Sequence, residues 1–170
     1  MSVAVTFKGG AVQLAGKQLA VGDKAPDFKC LGAGLAAKTL ADTPATARLF
    51  SVVPSLDTPV CSLQTKKFAE AIALLGDKVA CYTVSLDLPF AQGRFCENEK
   101  INSMHNLSDV HDHSFGKNYG VLIESLPLKL LTRAVFVVDA HGVVKHAEYV
   151  SEVTSHPDYE AALAALRAAA

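Results

Sequence analysis

Tryptophan is absent, methionine occurs twice, and there is no excess of positive charge: 16 Lys and Arg stand against 17 Asp and Glu in 170 residues, a formal net charge of -1. That balance offers neither counterion release to nucleic acid nor adhesion to an anionic membrane, so neither is an expected partner. No apolar run approaches the ~18 residues of a membrane span. The N-terminal MSVAVTFKGG also lacks a basic segment leading into a sustained apolar core and a small-residue cleavage site. A cytoplasmic protein is the resulting expectation. Repeats and linkers are missing too, and the alanine-rich end is the one biased block. With half its residues apolar and a length inside the ~100 to 200 typical of one domain, the chain reads as a single domain over residues 1–170. In a reducing compartment, Cys30, Cys61, Cys81 and Cys96 are better read as buried or catalytic thiols than as a disulfide framework.

What is present alternates. VAVTF and AVQL flank KGG at Lys8 to Gly10 and predict a hairpin, and DFKCL with AKTL predicts a second short strand pair. ARLFSVV, Ala47 to Val53, is a continuous apolar run ending at proline, which suits a central strand buried on both faces. From Pro59 to Leu75 the residues Val60, Leu63, Phe68, Ala71, Ile72 and Leu75 recur at helical spacing, with Gly76 as a stop. VACYTVSL predicts another buried strand, Pro89 to Glu99 a helix, Asn106 to Val110 a short strand and SFGKNYG a short helix. RAVFVVD and Val143 to Tyr149, separated by AHG, predict a strand pair. PDYEAALAALRAAA then predicts a terminal helix with Pro157 in its first turn. Strand-helix-strand followed by hairpin-helix implies a three-layer α/β fold with a mixed sheet.

Between the central strand and the first long helix lies PSLDTPVC, Pro54 to Cys61. With Thr58 as N-cap and Pro59 at the first helical position, Cys61 falls in the first turn, where open amides and the helix dipole favour a thiolate. Moving a cysteine from ~8.5 to ~6 requires about 3.4 kcal/mol, whereas a helix terminus supplies ~0.3 to 1, at best ~2. A nearby cation is therefore required, and a forked, permanently charged arginine suits an oxyanion better than lysine. Arg133, at the start of a predicted buried strand, is the cation whose position is hardest to explain otherwise.

P-x-x-x-T-x-x-C within SVVPSLDTPVCSLQTKKF, together with SLDLPFAQGRFC and TRAVFVVD, resembles the thiol peroxidase subfamily, the atypical two-cysteine peroxiredoxins. The resemblance runs over nearly the whole chain, including the hairpin and the PDYEAAL end. It implies a thioredoxin fold with an N-terminal β-hairpin extension, a homodimer, and reduction of hydrogen peroxide and alkyl hydroperoxides with no metal or organic cofactor. It further implies that Cys61 is the peroxidatic cysteine, Thr58 and Arg133 its activating partners, Pro54 the shield of the pocket, and Cys96 the resolving cysteine. Cys61 sulfenic acid would condense with Cys96 to a disulfide, re-reduced by thioredoxin. Because a disulfide needs α-carbons ~4.4 to 6.8 Å apart, the first turn of the Cys61 helix and the Phe95 to Lys100 segment are expected to open in each cycle. The sequence departs from the subfamily pattern after Cys96, where Glu97, Asn98, Glu99 and Lys100 stand in place of small residues, and in ESLPLKLL at Glu124 to Leu131.

Each assignment has a competitor. Free cysteine is among the most buried residue types, and Cys30 and Cys81, inside apolar segments, are read as core. Thr58 could serve only as a cap and Arg133 only as a strand-end charge. His105, Asp109, His111, Asp112 and His113 lack a closed ligand set and are read as a solvated loop rather than a metal site. A thioredoxin-like reductase would carry C-x-x-C, but Ser62, Leu63 and Gln64 follow Cys61. A cysteine hydrolase would need a histidine base, and none lies in a recognisable motif. A non-enzymatic redox sensor using the same cysteine pair is the alternative that only turnover separates from a peroxidase.

Overall fold

The computed structural model describes residues 2–170. Val5–Phe7 (β1) and Gly10–Val12 (β2) form the hairpin expected around KGG. Lys8 and Gly9 at its tip have φ of 51° and 82°, the left-handed backbone that tight two-residue hairpin loops demand. Lys29–Leu31 (β3) and Ala37–Thr39 (β4) are the second short pair. Ala47–Val52 (β5) leads to Pro59–Ala73 (α1), Val79–Ser85 (β6), Pro89–Asn98 (α2), His105–Ser108 (β7) and Ser114–Asn118 (α3). Leu122–Ile123 (β8) and Leu130–Leu131 (β9), which hydropathy patterning does not announce, pair at the two ends of the ESLPLKLL loop. Ala134–Val138 (β10) and Val144–Tyr149 (β11) form the last hairpin, and Tyr159–Ala169 (α4) ends the chain.

Seven strands build one mixed sheet in the order β11-β10-β5-β6-β7-β3-β4, with β5, β6 and β7 parallel and the other pairings antiparallel. β5, β6 and β10 are buried along their whole length because both faces are covered, with the polar Arg48, Ser51, Thr83 and Ser85 buried among their apolar residues. Along β5, Ala47 and Leu49 face one core with Phe68, Ala69 and Ile72 of α1 and Ala162, Leu163 and Leu166 of α4. Phe50 and Val52 face the other, with Phe28, Phe115 and Tyr119. The same alternation divides Val135 and Val137 from Phe136 and Val138 in β10. At ~1.5 to 3 kcal/mol for each fully buried large apolar side chain, these two layers hold the sheet and α1 in fixed register. No helix among the described residues is long and apolar enough to cross a membrane.

Two local expectations need correction. The buried face of α1 is Cys61, Gln64, Thr65, Phe68, Ala69 and Ile72, while Leu63 is 47% exposed. Hydropathy misplaces this face because a polar residue, Gln64, is buried there with hydrogen-bond partners for its amide, which removes most of the cost of burial. Pro157 lies ahead of α4 rather than in its first turn, because Asp158 is the N-cap and its Oδ1 accepts from the Ala161 N–H at 3.0 Å.

Candidate active site

The chain leaves β5 at Val52, and Val53 still donates to the Val84 carbonyl of β6 at 3.0 Å. Pro54, buried, turns it out of the sheet. The following loop is held by Asp87, which sequence patterning leaves unremarked. Its Oδ1 accepts from Ser55 Oγ and its Oδ2 from the Leu56 N–H, both at 2.8 Å. A signal for Asp87 does exist in the sequence: Ser-Leu-Asp-x-Pro occurs at 55–59 and again at 85–89. In each copy the proline opens a helix at the end of a parallel strand.

Thr58 is the backbone N-cap of α1, but its side chain does not cap. Its hydroxyl donates instead to the Ser55 carbonyl at 2.9 Å, so it presents lone pairs to the space beside the helix end. The first helical bond runs from the Ser62 N–H to the Thr58 carbonyl at 3.1 Å. Ahead of it the amides of Val60 and Cys61 belong to the open, positive end of the helix. Cys61 itself is fully buried, packed with Val53 and Leu56 and against Phe95 of α2.

Arg133 immediately precedes β10, and the register that pairs Ala134 with Val52 places it beside Val53, where the Cys61 loop begins. It is 2% exposed. Its Nε donates to the Val153 carbonyl at 2.8 Å and its Nη1 to Gln64 Oε1 at 2.9 Å, while Gln64 Nε2 donates to Ser51 Oγ at 2.7 Å. Both acceptors are neutral, and no salt bridge among the described residues involves Arg133. A buried guanidinium without a counter-ion is costly, and the cost falls when an anion forms beside it. Tyr159 senses both groups: burial pushes its hydroxyl up, Arg133 pulls it down, and Cys61 pushes it up.

The structure thus gathers Pro54, Thr58, Cys61 and Arg133 around one helix end and adds Gln64 one turn along. It does not bring Cys96 to them. All four cysteines are free. Cys96, half-buried near the end of α2, lies with its Sγ 3.3 Å from Asn106 Nδ2 of β7, and its neighbour Phe95 packs against the cluster of Val53, Leu56 and Cys61. The Lys66–Glu99 ion pair, at 2.9 Å, joins α1 to the C-cap of α2. Two clefts, of about 970 and 480 Å³, lie elsewhere on Cys81 and on Tyr82 with Gln92, and neither includes Cys61 or Arg133.

The histidine-rich segment forms no metal-binding group among the described residues. His111 and Asp112 are exposed, as a solvated loop requires, but Asp109 is in the core. It accepts from the Phe115 and Gly116 N–H groups at 3.0 and 2.8 Å and faces the buried Cys30 Sγ at 3.6 Å. Burial of Asp109 raises its carboxyl above the ordinary range, against those two amides.

Comparison with known proteins identifies the family. The model of the Redoxin family matches residues 20–163. The thiol peroxidase of Bacillus subtilis is 51% identical over 164 residues, 96% of each chain. That of Halalkalibacterium halodurans is 53% identical over 165 residues, covering 97% of this chain and 98% of its own. Among solved structures, a peroxiredoxin-like protein from Aquifex aeolicus superposes with a TM-score of 0.92 at 38% identity, covering 100% of this chain and 99% of its own. The three-layer arrangement with its mixed sheet is accordingly the thioredoxin-like fold of that family.

Proposed function

Because this chain belongs to the thiol peroxidases of the Redoxin family, we propose that it reduces hydrogen peroxide and alkyl hydroperoxides through Cys61. The Cys61 thiolate attacks one peroxide oxygen, the O–O bond breaks with its electron pair on the other, and protonation releases water or an alcohol. Cys61 is left as the sulfenic acid. Arg133 faces the oxygen on which charge grows, with Nη2 as the nitrogen engaged by neither Val153 nor Gln64. Thr58, whose own hydrogen is directed to Ser55, accepts from the peroxide O–H and orients it. Pro54 shields the pocket. The observation that carries this reading is the buried, counter-ion-free Arg133 beside the open end of the helix that bears Cys61.

Cys96 then attacks the sulfenic sulfur, expelling water and forming the Cys61–Cys96 disulfide, and thioredoxin returns both to thiols. With Phe95 packed against the Cys61 cluster, this step calls for α2 to leave its packed position. The protein acts as a homodimer of single-domain chains over residues 1–170, in the cytoplasm, without metal, organic cofactor, nucleic acid or membrane.

The test is NADPH oxidation coupled through thioredoxin reductase and thioredoxin, with intact mass followed in parallel. Wild-type protein turns over continuously, Cys61→Ser consumes no peroxide, and Cys96→Ser completes one turnover and stalls with Cys61 oxidised. A single stoichiometric oxidation of the wild type would replace the enzyme by a redox sensor. Steady turnover of Cys96→Ser would assign resolution to another thiol. Size-exclusion chromatography with light scattering checks the dimer.

A further inference from the structure

The N-terminal hairpin takes no part in the chemistry above, yet a short chain of bonds joins it to Arg133. The Val150 N–H donates to the Arg133 carbonyl at 3.0 Å, and Arg133 Nε donates to the Val153 carbonyl at 2.8 Å. One segment, residues 150–153, therefore brackets both the backbone and the side chain of Arg133. Its other edge is held by β1: the Thr6 N–H donates to the Ser151 carbonyl and the Val153 N–H to the Thr6 carbonyl, both at 2.8 Å. Val153 packs there with Val5 and Ile123.

Glu152 closes this arrangement. Its Oε1 accepts from Thr6 Oγ1 at 2.9 Å and from the Gly9 N–H, at the hairpin tip, at 2.8 Å. Its Oε2 accepts from the Thr154 N–H at 2.8 Å and from Thr154 Oγ1 at 2.6 Å. We propose that Glu152 is a positioning residue for peroxide reduction, acting with Thr6 of the hairpin to fix the Val153 carbonyl and, through it, the Arg133 guanidinium. This rests on the reading of Arg133 as the cation that serves Cys61.

The physical basis is the planarity of the guanidinium. Bonds from Nε to Val153 and from Nη1 to Gln64 fix two points of the plane and so aim Nη2. If the Val153 carbonyl drifts, the group pivots about the Gln64 bond, and a misplacement of ~1 Å at a reacting centre costs up to ~10²-fold in rate. The four donors hold Glu152 at about 2, so it stays charged across the working pH range, and the clamp does not switch.

The experiment compares the second-order rate of peroxide consumption in wild type, Glu152→Ala, Thr6→Val, Arg133→Ala and the Glu152→Ala/Arg133→Ala double variant, with thermal denaturation of each. Glu152→Ala is expected to slow the reaction ~10-fold, Thr6→Val less, and Arg133→Ala most. The double variant is expected to be no slower than Arg133→Ala, because residues acting through one group are not additive. A Glu152→Ala loss of equal size in both backgrounds, or a lowered melting temperature with an unchanged rate, would overturn the proposal and leave Glu152 a structural tie. Should Arg133→Ala itself react at the wild-type rate, the reading of Arg133 fails instead. If Glu152→Ala does not fold, Thr6→Val in the two Arg133 backgrounds decides the same question, since it keeps every backbone bond of β1.

Discussion

Cys61 and Cys30 are equally buried, each with no exposed surface, yet their surroundings are electrostatic opposites. Cys61 lies in the first turn of a long helix, near a guanidinium bound only by neutral acceptors. Cys30 lies in the opposite core, its Sγ 3.6 Å from the Asp109 carboxylate, and burial followed by that negative charge pushes its thiol far up. Cys81 is a third case: burial alone pushes it up to about 12, against a backbone hydrogen bond at Leu49. Burial is common to all three; what differs between Cys61 and Cys30 is the sign of the nearest fixed charge.

The comparison can be broken most severely at Cys61. Cys61→Ser is expected to abolish peroxide consumption in the thioredoxin-coupled assay, while Cys30→Ala and Cys81→Ala keep the rate within ~2-fold. Comparable losses at Cys30 would remove the distinction. Next in size, Arg133→Ala should cost ~10²- to 10³-fold, and Arg133→Lys should recover only part of it, because an ammonium restores charge without the fork. Rate constants from competition against a reference peroxidase would show this.

Smaller again, Gln64→Leu should slow peroxide reduction ~10-fold by leaving Arg133 Nη1 without its acceptor. Full activity in that variant would mean that Val153 alone aims the guanidinium. On the Cys30 side the expected effect is on stability. Asp109 has its folded pKa raised, so it binds its proton more tightly folded than unfolded, and its contribution is greatest in acid and declines as pH rises above the unfolded value of ~3.8. Glu152, lowered to about 2, contributes above its unfolded value of ~4.3, and that contribution is lost as pH falls toward 2. Urea titrations from pH 3 to 7 should therefore show wild type losing stability relative to Asp109→Asn as pH rises. Relative to Glu152→Gln, wild type should lose stability as pH falls.

Much of this was readable from the chain. The hairpin at KGG, the buried strand ARLFSVV and the helix opening at Pro59 follow from turn chemistry, two-sided burial and proline at a helix start. The residues 54–61 point to a reactive thiol because their spacing sets a cysteine in a helix's first turn, and the shortfall in dipole energy directs attention to a distant arginine. What hydropathy does not reveal is polar burial. Gln64 and Asp109 are hydrophilic by type but lie in the core because their partners come from other elements, Ser51 and Arg133 for one, Cys30 and the start of α3 for the other, and Arg133 and Cys30 are 69 and 79 positions away. The strands β8 and β9 are two residues each, too short for any period to register. The clamp at Glu152 joins residues more than 140 positions apart and has no local signature.

Phe95 and Cys96 are consecutive on one helix, and an α-helix turns by about 100° per residue. While that helix stands they cannot face the same point, so under the proposed resolution Phe95 would give up its packing against the Cys61 cluster as Cys96 comes in. Under that proposal, cover by Phe95 and capture of Cys61 in a disulfide would exclude one another. In the captured state the ring would be displaced, and the cluster of Val53, Leu56 and Cys61 would lose its contact. Each oxidation would then imprint itself on the outside of the molecule as a newly uncovered apolar patch, a mark by which a reductant can tell a spent enzyme from a ready one.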